Sequence, residues 1–129
     1  MTKASIEGIA PFFITSDVDR ALSFYCGKLG FETTFKEPDR NPFFAIVKRD
    51  AAQVFFKSER GLQPMPNPTR HPSMRWDAYL YVPDPDTLAA EFAGNGVVFS
   101  APLKDTHDGL RGLEIRDPDG HVLFFGRPR

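Results

Sequence analysis

The sequence predicts an α+β fold of two βαβββ modules within one chain of 129 residues. Three observations carry that expectation. Residues Phe12 to Phe56 read strand, helix, glycine turn and strands, ending in Arg49-Asp50 and then Val54-Phe55-Phe56; residues Ala78 to Phe125 repeat the order, ending in Arg116-Asp117 and then Leu123-Phe124-Phe125. Each half holds one amphipathic helical stretch closed by glycine at its C-terminal end. A chain of this length buries roughly two-thirds of the surface its unfolded form exposes, enough for a single core. Half-domains of this size cannot each bury a sheet face alone, so the two share one structure, and a cavity between paired sheets is the natural site. Module 1 is expected at about residues 8–60, a linker at about 61–75 and module 2 at about 76–127.

The first element is the apolar run Ile9 to Thr15, which Pro11 pushes towards a sheet edge. Ser16 and Asp17 are capping residues, and Val18, Ala21, Leu22, Tyr25 and Leu29 recur at helical spacing, so a helix runs from Asp17 to Leu29 and stops at Gly30. Phe31 to Phe35, Phe43 to Lys48 and Gln53 to Lys57 are three further strands. The polar stretch Lys36 to Pro42 and the turn Asp50-Ala51-Ala52 separate them. Gly61 to Pro72 follows, with prolines at 64, 66, 68 and 72, and reads as an extended, semi-rigid spacer rather than a helix or a ligand for a recognition domain.

The second half restarts at Trp76 to Val82, where alternation sets Ala78, Leu80 and Val82 on one face and Asp77, Tyr79 and Tyr81 on the other. Asp84 and Asp86 cap a helix carrying Leu88, Ala89, Phe92 and Ala93, ended by Gly94-Asn95-Gly96. That helix covers Ala78, Leu80 and Val82, which leaves Asp77, Tyr79 and Tyr81 on the concave side. Val97 to Phe99, Leu110 to Arg116 and His121 to Gly126 complete the module, with Asp117-Pro118-Asp119-Gly120 as a tight turn.

Composition narrows the partners. Sixteen basic and 17 acidic residues give a net charge of −1 without a basic block, which argues against non-specific nucleic-acid binding. The lone Cys26 excludes an internal disulfide and reads as a free buried thiol. The first residues lack the apolar run of a signal peptide and no segment approaches a membrane span, so a cytoplasmic location without a membrane partner is expected.

The paired modules, the stretch Ser16-Asp17-x-x-x-Ala21-x-x-Phe24-Tyr25-x-x-x-Leu29-Gly30-Phe31 and the turn Arg116-Asp117-Pro118-Asp119-Gly120-His121 resemble the vicinal oxygen chelate superfamily of glyoxalases, bleomycin-resistance proteins and extradiol dioxygenases. The resemblance covers nearly the whole chain. It implies two sheets curling around a cleft, usually completed by a second subunit, with modules pairing within one chain or by exchange between two. Enzymes of the superfamily hold a divalent metal with one side chain from each of four strands, because such an ion needs three or four converging N or O donors. The resemblance places those positions at Ala10, Phe55, Asp77 and Phe124. One methyl and two phenyl groups cannot coordinate a cation, so neither a metal nor another cofactor is expected at the usual site.

In place of ligands the cleft gains a floor of Phe12, Phe55, Tyr79, Tyr81 and Phe124, suited to flat apolar molecules; the competing reading, in a chain with 13 phenylalanines, is that several of these rings fill a collapsed core. Trp76 is a ligand-stacking or dimer-interface element. Asp77 receives a cationic amine or acts as an acid–base group. Arg111 grips a carboxylate or phosphate, unless it simply faces solvent, and Glu114 lies nearby. His71, His107 and His121 read as loop histidines, and a displaced metal site would need His107, Glu114 or His121 to meet Asp77. The character is that of the metal-free bleomycin-resistance binders: a homodimer sequestering a planar, antibiotic-like aromatic. The alternatives are a lyase, isomerase or dioxygenase-like enzyme with a displaced metal, and a scaffold with a filled cleft.

Overall fold

A computed structural model describes residues 2–129 of the chain. Module 1 contains β1 (Phe12–Ile14), α1 (Val18–Gly27), β2 (Glu32–Glu37), β3 (Phe44–Arg49) and β4 (Ala52–Lys57). A short helix α2 (Asn67–Arg70) lies in the connection, and module 2 follows with β5 (Ala78–Tyr81), α3 (Pro85–Gly94), β6 (Phe99–Asp105), β7 (Leu110–Arg116) and β8 (Val122–Pro128). The two sheets have the same order, β1-β4-β3-β2 and β5-β8-β7-β6, each with one parallel pair and two antiparallel ones. The repeat in the sequence is therefore a repeat in topology.

The helices form where their caps allow. Asp17 accepts the Arg20 amide at 3.1 Å to start α1, and Asp84 accepts the Thr87 amide and hydroxyl at 3.1 and 2.7 Å to start α3. Helix α1 stops before Gly30, whose φ of +75° lets the chain turn back, and the missing side chain leaves room for Arg49 to reach the Leu29 carbonyl at 2.8 Å. Arg49 then grips Glu91 of α3 with two bonds of 2.7 and 2.9 Å, joining the modules.

Alternation decides what each sheet face meets. Phe13, Ala45, Val47, Val54 and Phe56 point from the first sheet to α1, and Leu113, Ile115, Leu123 and Phe125 point from the second sheet to α3. Together with Tyr25, Leu29 and Phe92 they form one continuous core, so the helix-covered faces of both modules merge and the other faces turn away from it.

Two elements differ from expectation. The second strand of module 2 was expected at Val97 to Phe99 and instead runs Phe99–Asp105 through Pro102. Strand β6 lies at a sheet edge, where proline forfeits no inner hydrogen bond, and two register shifts against β7 absorb the irregularity. The linker was expected to be extended throughout, yet Asn67–Arg70 makes a helical turn. Pro66 and Pro68 stand at its start, the one part of a helix that needs no proline N–H, and Asp77 accepts the Asn67 amide at 2.7 Å.

Candidate functional site

The outward face of the second sheet is an aromatic platform. Register pairs Tyr79 with Phe124 and Tyr81 with Gly126 across β5 and β8, and Glu114 with Phe124 and Gly112 with Gly126 across β7 and β8, so all six share this face. The Phe124 ring lies over the two glycines: a Cβ on Gly112 would stand 2.5 Å from its Cζ and one on Gly126 2.5 Å from its Cε2. Only glycine opposite glycine leaves room for a phenyl ring flat on the sheet. Tyr79 packs 5.1 Å from Phe124 and 4.4 Å from Tyr81, ring centre to ring centre.

Trp76 completes the platform from outside the strand. Its indole stacks on Phe124 at 4.4 Å and meets Tyr79 edge-on at 5.4 Å, and its N–H donates to Glu114 Oε2 at 3.1 Å. The Arg75 guanidinium packs over the same indole at 4.3 Å and pairs with Asp108 at 2.7 Å. The Tyr79 hydroxyl is closed off from solvent without a hydrogen-bond partner among the described residues, and burial, then Tyr81 and Asp108, hold its pKa above the ordinary tyrosine value. Beside this cluster a groove of about 330 Å³ is lined by Arg75, Lys104, His107, Gly112, Glu114 and Phe124 among others.

Asp108 titrates low, at about 2, because Thr106 donates its hydroxyl to it and Arg75 adds a charged hydrogen bond. A depressed carboxylate stabilises the fold above its unfolded value near 4, and that contribution vanishes as pH falls through about 2. Urea unfolding of wild type and Asp108→Asn should therefore differ by a constant amount above pH 5, with the gap closing between about pH 4 and pH 2. A gap that instead widens on acidification would refute this assignment.

The first sheet carries a second aromatic face. Phe12 and Phe55 are register partners with ring centres 5.7 Å apart, and Phe44 lies 5.9 Å from each of them and from Phe35. Phe12 is 59% exposed and Tyr81 on the other sheet 76% exposed, so neither face is sealed by the rest of the chain. No described aromatic pair joins the two faces. Phe44 and Phe35 were not among the residues expected from the sequence; the register that pairs Ile46 with both Phe55 and Phe35 places them on this side.

Two candidates are placed otherwise than expected. Arg111 stands an odd number of residues from Glu114 on β7, and parity turns it away from the platform; it forks onto Asp86 of α3 with two bonds of 2.8 Å and reaches Asp105 at 3.0 Å. The bidentate grip is made within the chain, at its surface, and those carboxylates raise its pKa further. Asp77 does not present a free carboxylate: Oδ1 accepts the Asn67 amide at 2.7 Å and Oδ2 the Val122 amide at 2.8 Å, tying the linker and β8 to β5.

That settles the donor chemistry at the four positions where the resemblance would put metal ligands. Ala10, Phe55 and Phe124 offer no donor atom, and the Asp77 oxygens are already held by amides, so these residues do not fit a divalent ion. A different trio, Asp117, Asp119 and His121, has ligand-type atoms within 4.8 Å of one another. Asp117 Oδ2, however, accepts the Tyr25 hydroxyl and faces His121 Nδ1, both at 2.9 Å, and Oδ1 accepts the Asp119 and His121 amides at 2.9 Å. Asp119 accepts from Thr15, Ser16 and Arg20. His121 also stacks on Phe13 at 4.1 Å with the planes 6° apart. The trio welds β1 and α1 to the second module, and His121, expected as a solvated loop residue, is 3% exposed because of it.

Among the described residues no helix is long and apolar enough to cross a membrane. A family model described as the Glyoxalase/Bleomycin resistance protein/Dioxygenase superfamily matches residues 8–125. No curated protein matches the chain. Among solved structures it is similar to the bleomycin-binding protein from bleomycin-producing Streptomyces verticillus complexed with copper(II)-bleomycin, at 25% identity, TM-score 0.70, and coverage of 98% of this chain and 100% of the other. It is also similar to a superfamily member from Sphaerobacter thermophilus, at 27% identity, TM-score 0.68 and coverage of 95% and 97%. An antibiotic-binding protein from a Streptomyces species shares the fold at 22% identity, TM-score 0.67 and coverage of 100% and 99%.

Proposed function

The chain belongs to the Glyoxalase/Bleomycin resistance protein/Dioxygenase superfamily, and from that membership we propose that it is a metal-free small-molecule binding protein that sequesters a planar, antibiotic-like aromatic in a cleft between two copies of itself. The observation that carries this reading is the pair of aromatic faces, Phe12, Phe35, Phe44 and Phe55 on one sheet and Trp76, Tyr79, Tyr81 and Phe124 on the other, which one chain does not bring together and which leave Phe12 and Tyr81 exposed. In a symmetric pair, the first face of one copy closes over the second face of the other, and two equivalent clefts result. Stacking between rings on both walls then contributes about 0.5–1.5 kcal/mol per good pair beyond area burial. A donor set that does not fit an ion at the superfamily's metal positions supports binding over turnover, and the bleomycin-binding relative at 25% identity supports an antibiotic as the ligand type. Glu114 supplies a polar anchor in the groove, and Asp77 and Arg111 serve the fold.

Thermal unfolding against a panel of planar aromatics tests this directly. At a hundred times its Kd, a true ligand should stabilise the protein by about 2.7 kcal/mol. If no compound raises the transition, or if the purified protein carries a stoichiometric ion with measurable turnover, the proposal fails. The dimer has its own test: Phe12→Asp places a charge on the open face and should raise the dimer dissociation constant by at least about tenfold, measured by sedimentation equilibrium, with little change in monomer stability. A variant that associates as tightly as wild type removes the shared cleft.

A further inference from the structure

The platform on the second sheet is already occupied by part of the protein. Trp76 lies on Phe124 with the planes 24° apart, donates its N–H to Glu114, and is covered by the Arg75 guanidinium, which Asp108 holds at 2.7 Å. Stacking on a ring, an N–H given to a carboxylate and a covering cation are the contacts a bound planar heteroaromatic would make here. The segment that supplies them is a strap: residues 71–75 are all exposed and belong to no strand or helix beyond α2. With the strap closed, the Tyr79 hydroxyl is shut away without a hydrogen-bond partner among the described residues. When the indole leaves, Glu114 has no other hydrogen-bond donor among the described residues.

We propose that Trp76 is a displaceable occupant, and that the ligand is a planar heteroaromatic with an N–H edge that takes the indole's place on Phe124, donates to Glu114 and releases the Arg75–Trp76 strap. This rests on the binding reading above and adds to it the chemical class of the ligand and its route of entry. Closure of the strap lowers the apparent affinity by the fraction of molecules in which the platform is free. Asp108 anchors Arg75 from outside the stack, so loosening it should open the platform without altering the surface that holds the ligand.

Trp76 is the one tryptophan of the chain, so 5-fluorotryptophan labelling gives a single ¹⁹F resonance. Without any ligand, Asp108→Asn should move that resonance towards its position in the urea-unfolded protein. Benzimidazole at saturation should move the wild-type resonance the same way, and calorimetry should show it binding Asp108→Asn about tenfold more tightly than wild type. 1-Methylbenzimidazole, which lacks the N–H, should bind at least about fivefold more weakly. A resonance unmoved by saturating benzimidazole, equal affinities for the two probes, or no binding of benzimidazole to Asp108→Asn overturns the inference. The two readings separate cleanly: if naphthalene-1-sulfonate stabilises the protein and leaves the resonance in place, the binding reading stands and displacement falls. If Asp108→Asn frees the indole and no planar compound binds either protein, the binding reading fails and the ligand class with it.

Discussion

Replacing Asp117 with alanine should lower the unfolding free energy by roughly 3–5 kcal/mol, a loss as large as that of truncating a buried core aromatic. The Asp117 side chain is fully buried and its carboxylate takes four donors at 2.9 Å: the Tyr25 hydroxyl, the His121 ring and the amides of Asp119 and His121. Each buried donor left without an acceptor costs about 1–3 kcal/mol, less where water reaches it. The donors belong to different modules, since Tyr25 is on α1 and the rest on the turn into β8, so the loss separates the halves as well as the turn. Asp117→Asn keeps one accepting oxygen but points an amide N–H₂ at donors, and about half the loss is expected. Alkaline unfolding gives a second handle. Burial first, and then Asp117, raise the Tyr25 pKa well above its ordinary value, so stability is intact below about pH 10 and declines as pH rises beyond it; Tyr25→Phe should flatten that decline. A loss under about 1 kcal/mol for Asp117→Ala, measured by denaturant unfolding, would show that the network is not what joins the modules.

Gly126→Ala should cost about 2–3 kcal/mol and move the one tryptophan without touching it. A methyl there would stand 2.5 Å from Phe124 Cε2 and 2.6 Å from the Arg111 carbonyl oxygen, and Gly112 across the ladder is as tight, with the Phe125 carbonyl oxygen at 2.4 Å. Backbone cannot yield far inside a sheet, so the ring must rise off the face. Trp76, stacked on that ring, then loses its seat, and its fluorescence should shift towards that of exposed indole. In a Phe124→Leu background the ring clash is gone while the carbonyl contact stays, so the same glycine change should cost about 1 kcal/mol less. Additive losses and an unchanged tryptophan signal would mean that the glycine pair does not seat the ring.

These two sites mark how far the sequence could be read. Asp50 and Asp117 end equivalent stretches of the repeat, yet the Asp50 side chain is 92% exposed and Asp117 is buried under Tyr25 and His121. Periodicity shows that both exist and cannot tell which one the other module will cover. Arg111 and Glu114 are three residues apart on one strand; parity separates their faces, and only the packed position of Asp86 on α3 shows what Arg111 grips. The sequence identified Trp76 as an element beside the cleft strand. That it lies on Phe124, latched by Glu114 and Arg75, follows from a turn in the chain before β5 that strand alternation does not describe.

Local chemistry in the sequence was enough for the duplicated βαβββ order, the capped helices and the faces of the regular strands, because each depends on near neighbours and on periods of 2 and 3.6 residues, whereas the positions at Phe55 and Phe124 were marked only by the family resemblance. Tertiary structure alone decided that Asp77 ties backbone to backbone, that Pro102 lies inside an edge strand, that Asn67–Arg70 is helical, and that the modules join through Asp117. Those outcomes come from contacts between residues tens of positions apart, whose partners are chosen by packing rather than by any pattern along the chain.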